Sequence, residues 1–451
     1  MMAYLTTALL LAGAPALQAE DWTMYLRDLS HSSYNDAETT LGVDNAGSLG
    51  AGWMKSFEAP LAAAPTYAGG VLYFGDWKGQ FHAVDASDGS ELWSRFVGMA
   101  PTPPPDCSPP LGVSSQAAVL GDAVYVGGGD AAVYALDRAT GQLLWRLPVG
   151  DAQGGAYVWS SIMVYNGALY LGVASLGDCP LVRGSLIRID PAAPEQARFA
   201  WLAPEGEIGG GIWSTPAIDA QTNTVFVTTG TGEQDAGQGF FGGTFASFDA
   251  DTLEMKAYYF LPTNSLEDDI EWGSSPTLFT TADGQSLVAA TGKDGVLYAL
   301  RRDDMSLVWQ TRLAVSCVCP QCGCGSLSSP AFDGQTLFVG SGVADPELFS
   351  GGAVYAIDPG TGVAIWRQVL DGTVIAPVTV ANGLLYVPTL HGLLIFDAAT
   401  GDPVWNDGNF GLLYSQAVVA DGTVFCTYGI GDVVAWRPGA GSAPQNPMSR
   451  R

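Results

Sequence analysis

One phrase of sequence returns along most of this chain, and it constrains the fold more than any other feature. The phrase joins an apolar-Tyr-apolar-Gly run, an apolar-Tyr-Ala-apolar-Asp run, a Thr-Gly pair and a Trp. Its clearest copy has these parts at 124–127, 133–137, 140–141 and Trp145. Similar copies end at Trp93, Trp366 and Trp405, and weaker ones end near Trp201, Tyr259 and Trp309. Self-similarity of this kind is typical of a fold built from repeated units.

Each copy predicts a small antiparallel sheet. Side-chain character alternates over short runs bounded by glycine, which is the periodicity of strands and not of helices. The Asp-x-x-Thr-Gly part is typical of a tight turn. The Trp that follows lies on the next strand, where its ring can cover the neighbouring unit. Such four-stranded meanders match the blades of a β-propeller.

The copies and the position of the first strand together predict a closed ring. Seven units end in an aromatic residue, and a partial unit follows from Leu413 to Trp436. The strand Gly52–Phe57 has no inner strands before it, so it can complete that last unit. We therefore predict an all-β fold, an eight-bladed β-propeller of four-stranded antiparallel blades whose ring is closed by the N-terminal strand.

The first residues predict export, and the remainder predicts one domain. Residues 6–16 form an apolar run, and Leu17-Gln18-Ala19 fits a cleavage site, so residues 1–19 are predicted to be a signal peptide. No linker rich in Pro or Ser divides the rest, and the Pro-rich stretch 101–110 is predicted to be a loop within the ring. We predict a single propeller domain over 20–451, in a protein that is periplasmic or secreted.

The charge of the chain excludes some classes of partner. It carries 18 Lys and Arg against 45 Asp and Glu, which gives a formal net charge of −27. Nucleic acids and anionic lipid surfaces need basic patches, so neither is an expected partner. No segment is apolar over the length that a membrane span requires. A propeller alone does not fix function, but it places function in the loops at the mouth of the central channel.

At the repeat, the chain resembles a known family. The phrase Ala-apolar-Asp-x-x-Thr-Gly-x-x-x-Trp is similar to the tryptophan-docked blades of eight-bladed quinoprotein alcohol dehydrogenases, which bind pyrroloquinoline quinone (PQQ). The segment 22–25 is similar to the start of their propeller. Within that PQQ-like family the chain most resembles the polyvinyl-alcohol-dehydrogenase-like members, in the segments 75–79, 171–175, 183–186, 211–216, 272–276 and 292–295. The resemblance implies PQQ as the cofactor and an alcohol as the substrate.

The resemblance also implies a set of site residues. Trp213 falls where the family stacks its quinone, and Lys293 and Arg183 fall at positions of cations near the cofactor. Glu271 holds the acid-base position, and Asp269 holds the neighbouring acidic one. A base is needed because the alcohol loses its hydroxyl proton as hydride leaves. The plainer alternatives are a blade-packing Trp, an ordinary turn Lys, a structural ion pair and a solvated acidic loop.

The chain departs from the family at the metal. The family's calcium-binding Asn and Glu fall near Thr231 and Cys179, and a hydroxyl and a thiol are poor ligands for a hard cation. The sequence therefore does not supply the family's own calcium ligands. It also lacks the adjacent Cys-Cys pair that caps the cofactor in some relatives.

Seven cysteines fit an exported protein in which most of them pair. Cys426 lies in an apolar strand and is predicted to be a buried free thiol. Cys107 and Cys179 lie in loops of neighbouring blades and are predicted to form a disulfide that links the two loops. One further loop holds four cysteines, Cys317, Cys319, Cys322 and Cys324. In an oxidising compartment this loop favours two disulfides over a zinc site.

These observations predict an exported quinoprotein oxidoreductase that oxidises an alcohol or polyol with PQQ. The C-x-x-C of the four-cysteine loop is followed by Gly323 and not by His, so electrons would pass to a separate acceptor such as a cytochrome c. The alternative is a non-catalytic propeller that serves as a protein- or polymer-binding scaffold, and a third reading is a sugar-binding or adhesion propeller. An enzyme requires polar side chains that converge at one channel mouth. His31, His82 and His391 show no metal-ligand spacing and are expected at the surface or within blades.

Overall fold

The computed structural model describes five stretches of the chain, 21–101, 111–265, 269–316, 324–343 and 351–441. In them, eight antiparallel blades of four strands stand around a central channel, which confirms the predicted eight-bladed propeller. The predicted signal peptide, 1–19, lies outside the described residues. No helix in the described stretches has the length and hydrophobicity that a membrane crossing requires.

The first four blades carry their strands in chain order from the channel to the rim. Blade 1 comprises Thr66–Ala68, Val71–Gly75, Gln80–Asp85 and Glu91–Phe96. Blade 2 comprises Ala118–Leu120, Ala123–Gly128, Ala132–Asp137 and Leu143–Pro148. Blade 3 comprises Met163–Tyr165, Ala168–Ser175, Ser185–Ile189 and Arg198–Trp201, with Ala156–Tyr157 added against the second strand. Blade 4 comprises Ala217–Asp219, Thr224–Thr228, Thr244–Asp249 and Met255–Phe260, with the hairpin Gln234–Asp235 and Phe240–Phe241 between its middle strands.

The last four blades follow the same order, apart from the outer strand of blade 8. Blade 5 comprises Thr277–Thr280, Ser286–Thr291, Val296–Arg301 and Leu307–Arg312. Blade 6 comprises Ala331–Phe332, Leu337–Ser341, Gly352–Ile357 and Ala364–Leu370. Blade 7 comprises Thr379–Ala381, Leu384–Pro388, Leu393–Asp397 and Pro403–Asn406, with Tyr34–Asn35 parallel to its inner strand. Blade 8 comprises Val418–Ala420, Thr423–Thr427, Asp432–Pro438 and Leu49–Ser56. The short helices are Val43–Ala46 and the 3₁₀ turn Pro194–Gln196.

The ring is closed by the N-terminal part of the chain, as predicted. Leu49–Ser56 is the outer strand of blade 8 and pairs antiparallel with Asp432–Pro438, with Trp53 opposite Ala435. The predicted strand Gly52–Phe57 overlaps this one and is displaced by a few residues. Because the two ends of the described chain share one sheet, the ring cannot open without the loss of that ladder.

The hydrophobic core is divided among the blade interfaces. Each pair of neighbouring blades encloses its own cluster of buried apolar side chains. Inner strands such as Ala123–Gly128 are buried on both faces, so their sequences are apolar almost throughout. Outer strands such as Glu91–Phe96 are mostly exposed.

Tryptophans of the outer strands tie blades to their neighbours. The ring of Trp93 lies on Gly141 of blade 2, and its Nε1 donates to Arg138 O at 3.1 Å. Gly141 has φ +68°, and a Cβ there would lie 2.5 Å from the ring, so the turn needs glycine for its backbone and for the space. Equivalent indole hydrogen bonds are made by Trp53, Trp309, Trp366 and Trp405. The predicted role of the repeat's Trp is thus confirmed for these blades.

Residues 22–35, which we name the central segment, run round the inside of the channel. Its backbone bonds in turn to the innermost strands of six blades, at Tyr67, Val119, Ile218, Leu278, Phe332 and Val380. Asn35 reaches blade 8, where its Nδ2 donates to Val419 O at 2.8 Å. His31 belongs to this segment and is fully buried, with its Nδ1 2.7 Å from Pro276 O. It is therefore neither a surface residue nor part of a blade.

Candidate active site

One mouth of the channel holds a cavity of about 570 Å³. Its walls come from loops that join neighbouring blades and from loops between the second and third strands of a blade. Its floor is a chain of four hydrogen bonds that links blades 2 to 6. In each bond the backbone N–H of one residue donates to the side-chain hydroxyl of its counterpart in the next blade, in the order Gln116, Ser161, Thr215, Ser275 and Ser329. Tyr25 of the central segment also lines the cavity, so this segment lies against the floor.

A buried tryptophan fixes the loop that carries Glu271. Trp272 is fully buried, and its Nε1 donates to Gly243 O of blade 4 at 3.1 Å. Trp272 also forms an isolated bridge with Gly292, and Lys293 N donates to Glu271 O at 2.9 Å. Trp272 therefore holds this loop in place. The loop before blade 5 and the loop between its second and third strands meet here, and they bring Glu271 beside Lys293.

The Glu271 carboxylate is buried, and three donors surround it. Its Oε1 accepts from Trp213 Nε1 and from Lys293 Nζ, both at 2.9 Å. Its Oε2 accepts from the backbone N–H of Thr231. Burial raises the pKa of Glu271 above its ordinary value, and the Lys293 ammonium opposes part of that rise. The result is a positioned carboxylate whose proton affinity is greater than that of a solvated one.

Lys293 is the cation of the cluster and is 8 % exposed. Its Nζ lies 2.8 Å from Asp269 Oδ1 and 5.7 Å from the centre of the Trp213 ring. Burial lowers the pKa of Lys293, but the carboxylates of Glu271 and Asp269 outweigh it, so the net pKa lies above the ordinary value. The structure thus brings together four of the five predicted residues: Trp213, Asp269, Glu271 and Lys293.

Arg183 lies apart from this cluster. Its guanidinium stacks on Trp201, 4.4 Å from the ring centre, and its Nε donates to Ala203 O at 2.8 Å. Arg183 is not among the residues that line the cavity in the described part of the chain. Its role toward a cofactor stays a prediction.

Sequence reasoning missed Asp178. Carboxylate oxygens of Asp178, Asp269 and Glu271 all lie within 4.8 Å of one another. The resemblance placed a metal-ligating Glu of the family near Cys179, one residue further along. The signal for Asp178 was its carboxylate, one residue before the position that the resemblance gave to the family's Glu. It was missed because a loop has no strand periodicity to fix the register of such a comparison.

The carboxylates of the cluster suit a hard cation, and the ring of Trp213 with the ammonium of Lys293 suits a flat anionic quinone. Three carboxylates offer oxygen ligands, and the buried hydroxyl oxygen of Thr231 has no hydrogen-bond partner within the described residues. Gly230 leaves room beside them, because a Cβ there would lie 2.9 Å from Glu271 Oε2. The three carboxylates face one ammonium, so the cluster has an excess of negative charge. A divalent or trivalent cation would neutralise that excess.

The cysteine predictions are tested at one residue. Cys426 is a buried free thiol, as predicted. Cys107 lies outside the described residues, and so do Cys317, Cys319 and Cys322. The predicted disulfide between Cys107 and Cys179 and the pairing within the four-cysteine loop therefore stay predictions.

A known family profile matches most of the chain. The profile is described as outer membrane protein assembly factor BamB, and it matches residues 45–172 and 293–448. The polyvinylalcohol dehydrogenase of a Sphingopyxis species (strain 113P3) is 22 % identical over an alignment 414 residues long, which covers 78 % of this chain and 62 % of that protein. The chain thus spans about three fifths of the length of this curated relative.

Solved structures share the fold at lower identity. The quinohemoprotein alcohol dehydrogenase ADHIIG of Pseudomonas putida HK5 superposes with a TM-score of 0.79 at 16 % identity, over 97 % of this chain and 84 % of that one. A europium-containing methanol dehydrogenase superposes with a TM-score of 0.76 at 15 % identity, over 93 % of this chain and 98 % of that one. At such identities the similarity establishes the architecture.

Proposed function

This chain belongs to the PQQ-like β-propeller family, and from that premise we propose that it is a quinoprotein oxidoreductase that oxidises an alcohol. The observation that carries the proposal is the convergence of Glu271, Asp269, Lys293 and Trp213 at one mouth of the channel. Polar side chains that converge in a cavity are what an enzyme of this kind requires and a scaffold does not. Alcohol dehydrogenases among the similar proteins support the same reading.

Glu271 is the proposed base. Its Oε1 is held by Trp213 and Lys293, which leaves Oε2, with the Thr231 N–H, as the atom that takes the hydroxyl proton. The raised pKa of Glu271 suits this task, because a base works best when its pKa approaches the working pH. Asp269 holds Lys293 on its other side and so keeps the ammonium beside Glu271.

Trp213 and Lys293 are the proposed cofactor-binding residues, and Arg183 is kept as a further candidate. PQQ, when bound, supplies a quinone that accepts the hydride of the alcohol. Trp213 offers a flat ring in the cavity wall, and Lys293 offers a fixed positive charge for a quinone oxygen. Both groups are held by Glu271, so they need no rearrangement before binding.

A cation is proposed at the carboxylates. Asp178 and Asp269, with the hydroxyl of Thr231, offer oxygen ligands that suit calcium or a lanthanide, and Oε2 of Glu271 stays available for the hydroxyl proton. The europium in the name of one similar methanol dehydrogenase is consistent with an acidic site in this fold. Asp178 thus takes the place that the sequence comparison assigned to Cys179.

The remaining parts of the proposal rest on the sequence. They are export to the periplasm or beyond by the segment 1–19, an alcohol or polyol as substrate, and a separate electron acceptor such as a cytochrome c. The alternative, a scaffold that binds a protein or polymer, draws on the assembly factor in the description of the family profile.

A titration tests the proposal. The purified protein is titrated with PQQ in the presence of calcium or lanthanum, and quinone absorbance and melting temperature are followed. We expect saturation near one equivalent and a rise in melting temperature. Lys293→Met should weaken binding about tenfold or more, because a charged hydrogen bond is lost, whereas Lys256→Met, at an ion-paired lysine outside the cavity, should leave it unchanged. Failure to bind PQQ with either metal would overturn the proposal in favour of the scaffold.

A further inference from the structure

The side of the cavity across the channel from Glu271 is aromatic and apolar. Glu271 and Lys293 belong to loops of blade 5, and in a ring of eight the blade opposite is blade 1. There Trp77 of blade 1 stacks on Tyr414, which precedes blade 8, with ring centres 6.0 Å apart and planes at 21°. Ala63, just before blade 1, belongs to the same wall. Trp159 and Ile375, which precede blades 3 and 7, line the cavity to either side of it.

This aromatic wall is held in place by its surroundings. The backbone of Trp77 is fixed at both ends, since its N–H donates to Pro60 O at 3.0 Å and its carbonyl accepts from Gly112 N at 2.9 Å. Trp159 Nε1 donates to Ser175 O at 2.9 Å. Both indoles pack on a small separate core of Ala100, Leu111, Tyr157 and Leu176. A ligand that stacks here therefore loses little binding free energy to the ordering of the wall.

Most polar side chains on this side already have partners within the protein, although the buried Nε1 of Trp77 has none within the described residues. Gln416 Nε2 donates to Gln116 Oε1 at 2.7 Å, and Gln116 Nε2 donates to Pro65 O at 3.1 Å. The hydroxyl of Ser415 lies 3.0 Å from that of Thr427, and the hydroxyl of Ser114 lies 2.9 Å from that of Tyr157. A ligand with many hydroxyls would lose its bonds to water here and find few free groups in return.

We propose that the Trp77–Tyr414 wall is a subsite for a planar apolar group of the substrate, so that the chain acts on alcohols that carry an aromatic ring and not on polyols. This inference rests on the proposed function, because it takes the hydroxyl of the same molecule toward Glu271. An aromatic ring suits the wall since offset stacking on an aromatic side chain adds to the free energy of burial. The cavity then has one end for the ring and one end for the reacting hydroxyl.

Binding in the absence of quinone tests the subsite. Saturation-transfer difference NMR on the full chain, with cinnamyl alcohol and glycerol as probes, should give saturable transfer to cinnamyl alcohol only. Trp77→Ala and Tyr414→Ala should each weaken its binding about tenfold, because the stacked surface is lost. Tyr414 is 37 % exposed, so its variant keeps the test open if Trp77→Ala fails to fold. The aromatic control, Trp201→Ala, lies outside the cavity and should stay within twofold of the parent chain.

The outcomes separate this inference from the proposed function. If cinnamyl alcohol binds as described and PQQ does not, the subsite stands and the oxidoreductase does not. If PQQ binds while glycerol binds as well as cinnamyl alcohol, the oxidoreductase stands and the aromatic subsite is overturned. The inference is also overturned if Trp213→Ala abolishes binding of cinnamyl alcohol while Trp77→Ala and Tyr414→Ala leave it intact.

Discussion

In the part of the chain that the structure describes, five of the eight blade interfaces share the same tryptophan contact, and the three between blades 2 and 5 lack it. On the docked side, an indole of each outer strand donates to a carbonyl of the next blade, from Trp53, Trp93, Trp309, Trp366 and Trp405. Blades 2, 3 and 4 carry Trp145, Trp201 and Tyr259 at this position. Within the described residues, none of these three rings bonds to a carbonyl of the following blade, and Trp201 is 44 % exposed.

The irregular side is also the side that carries the candidate site. Blade 3 has the extra strand Ala156–Tyr157 and the 3₁₀ turn Pro194–Gln196, and blade 4 has the hairpin Gln234–Asp235 and Phe240–Phe241. Blades 3 to 5 supply the cluster of Asp178, Trp213, Thr231, Asp269, Glu271 and Lys293. The interfaces with the tryptophan contact stabilise the ring. The interfaces without it carry longer loops, and the residues of those loops follow the needs of the site and not the pattern of the repeat.

Replacement of Glu271 should have the largest effect and should act on rate more than on stability. We expect Glu271→Gln to lower kcat for the alcohol about a thousandfold, since a positioned base contributes about 10² to 10⁴ in rate. In the parent chain the rate should fall on the acid side as Glu271 takes a proton, at a pH above the ordinary value of 4.5. Steady-state kinetics of the PQQ-loaded protein over pH measures both.

A buried carboxylate on the docked side is the matched control. Asp407 of blade 7 accepts from Tyr428 OH at 2.7 Å and from Leu393 N at 2.8 Å, and burial raises its pKa as it does that of Glu271. Asp407→Asn should lower the melting temperature and leave kcat within twofold. Equal losses of rate in Asp407→Asn and Glu271→Gln would show that burial, and not position at the cavity, makes Glu271 important.

Acid should loosen the side that carries the site. Burial lowers the pKa of His31 to about 4, so between pH 6.5 and about 4 the unfolded chain binds a proton that the folded chain excludes. Stability therefore falls as the pH drops through this window, by about 3 kcal/mol in total. His31 contacts Pro276 of blade 5 and Met163 of blade 3, Tyr25 packs edge-on against its ring, and Asp28 is the nearby charge.

Chemical denaturation at a series of pH values checks this, with His31→Gln as the control. The variant should lack the part of the pH dependence that belongs to His31, so the difference between the two stability curves isolates it. Hydrogen exchange should show the inner strands of blades 3 and 5 losing protection at a higher pH than those of blades 6 and 7. The prediction would be contradicted if the stability curves of the parent chain and His31→Gln stayed parallel between pH 6.5 and about 4.

The blades with the tryptophan contact were predicted best from the sequence, because the same turn geometry requires the same residues in each copy of the repeat. The turn that ends in Gly141 needs a positive φ and an open face, so its pattern repeats. The path of the central segment was not predicted, since its bonds reach blades that are far apart in sequence. Its backbone also takes positive φ at four residues that no pattern marks: Leu26, Arg27, His31 and Ser33.

The candidate site lies between these cases. Glu271 and Lys293 are held by short strand-like contacts around Trp272 and Gly292, so a motif could place them. Asp178 sits in an exposed loop with φ +57°, where tertiary contacts and not periodicity decide which residue faces the cluster. The cavity wall of Trp77 and Tyr414 also escaped prediction, because its two residues come from opposite ends of the chain and meet only when the ring closes.

Substitution of two glycines of blade 2 shows how much the tryptophan contact contributes to the free energy of unfolding. We expect this to be the smallest of the three effects. Gly121 and Gly141 have φ of +59° and +68°, so alanine costs about 1 kcal/mol at either through the backbone alone. A Cβ at Gly121 meets nothing within 4 Å, whereas one at Gly141 would lie 2.5 Å from the ring of Trp93. Gly141→Ala must therefore displace that ring and its hydrogen bond to Arg138 O as well.

We expect Gly141→Ala to lower the free energy of unfolding by about 2 kcal/mol more than Gly121→Ala, as measured by denaturant titration. The difference between the two variants cancels the backbone term, because both residues lie in turns of the same blade. What remains is the contact between blades 1 and 2 alone. Equal losses in the two variants would mean that the buried clusters between blades already hold the ring without the indole. The absence of docking between blades 2 and 5 would then not explain why the site lies there.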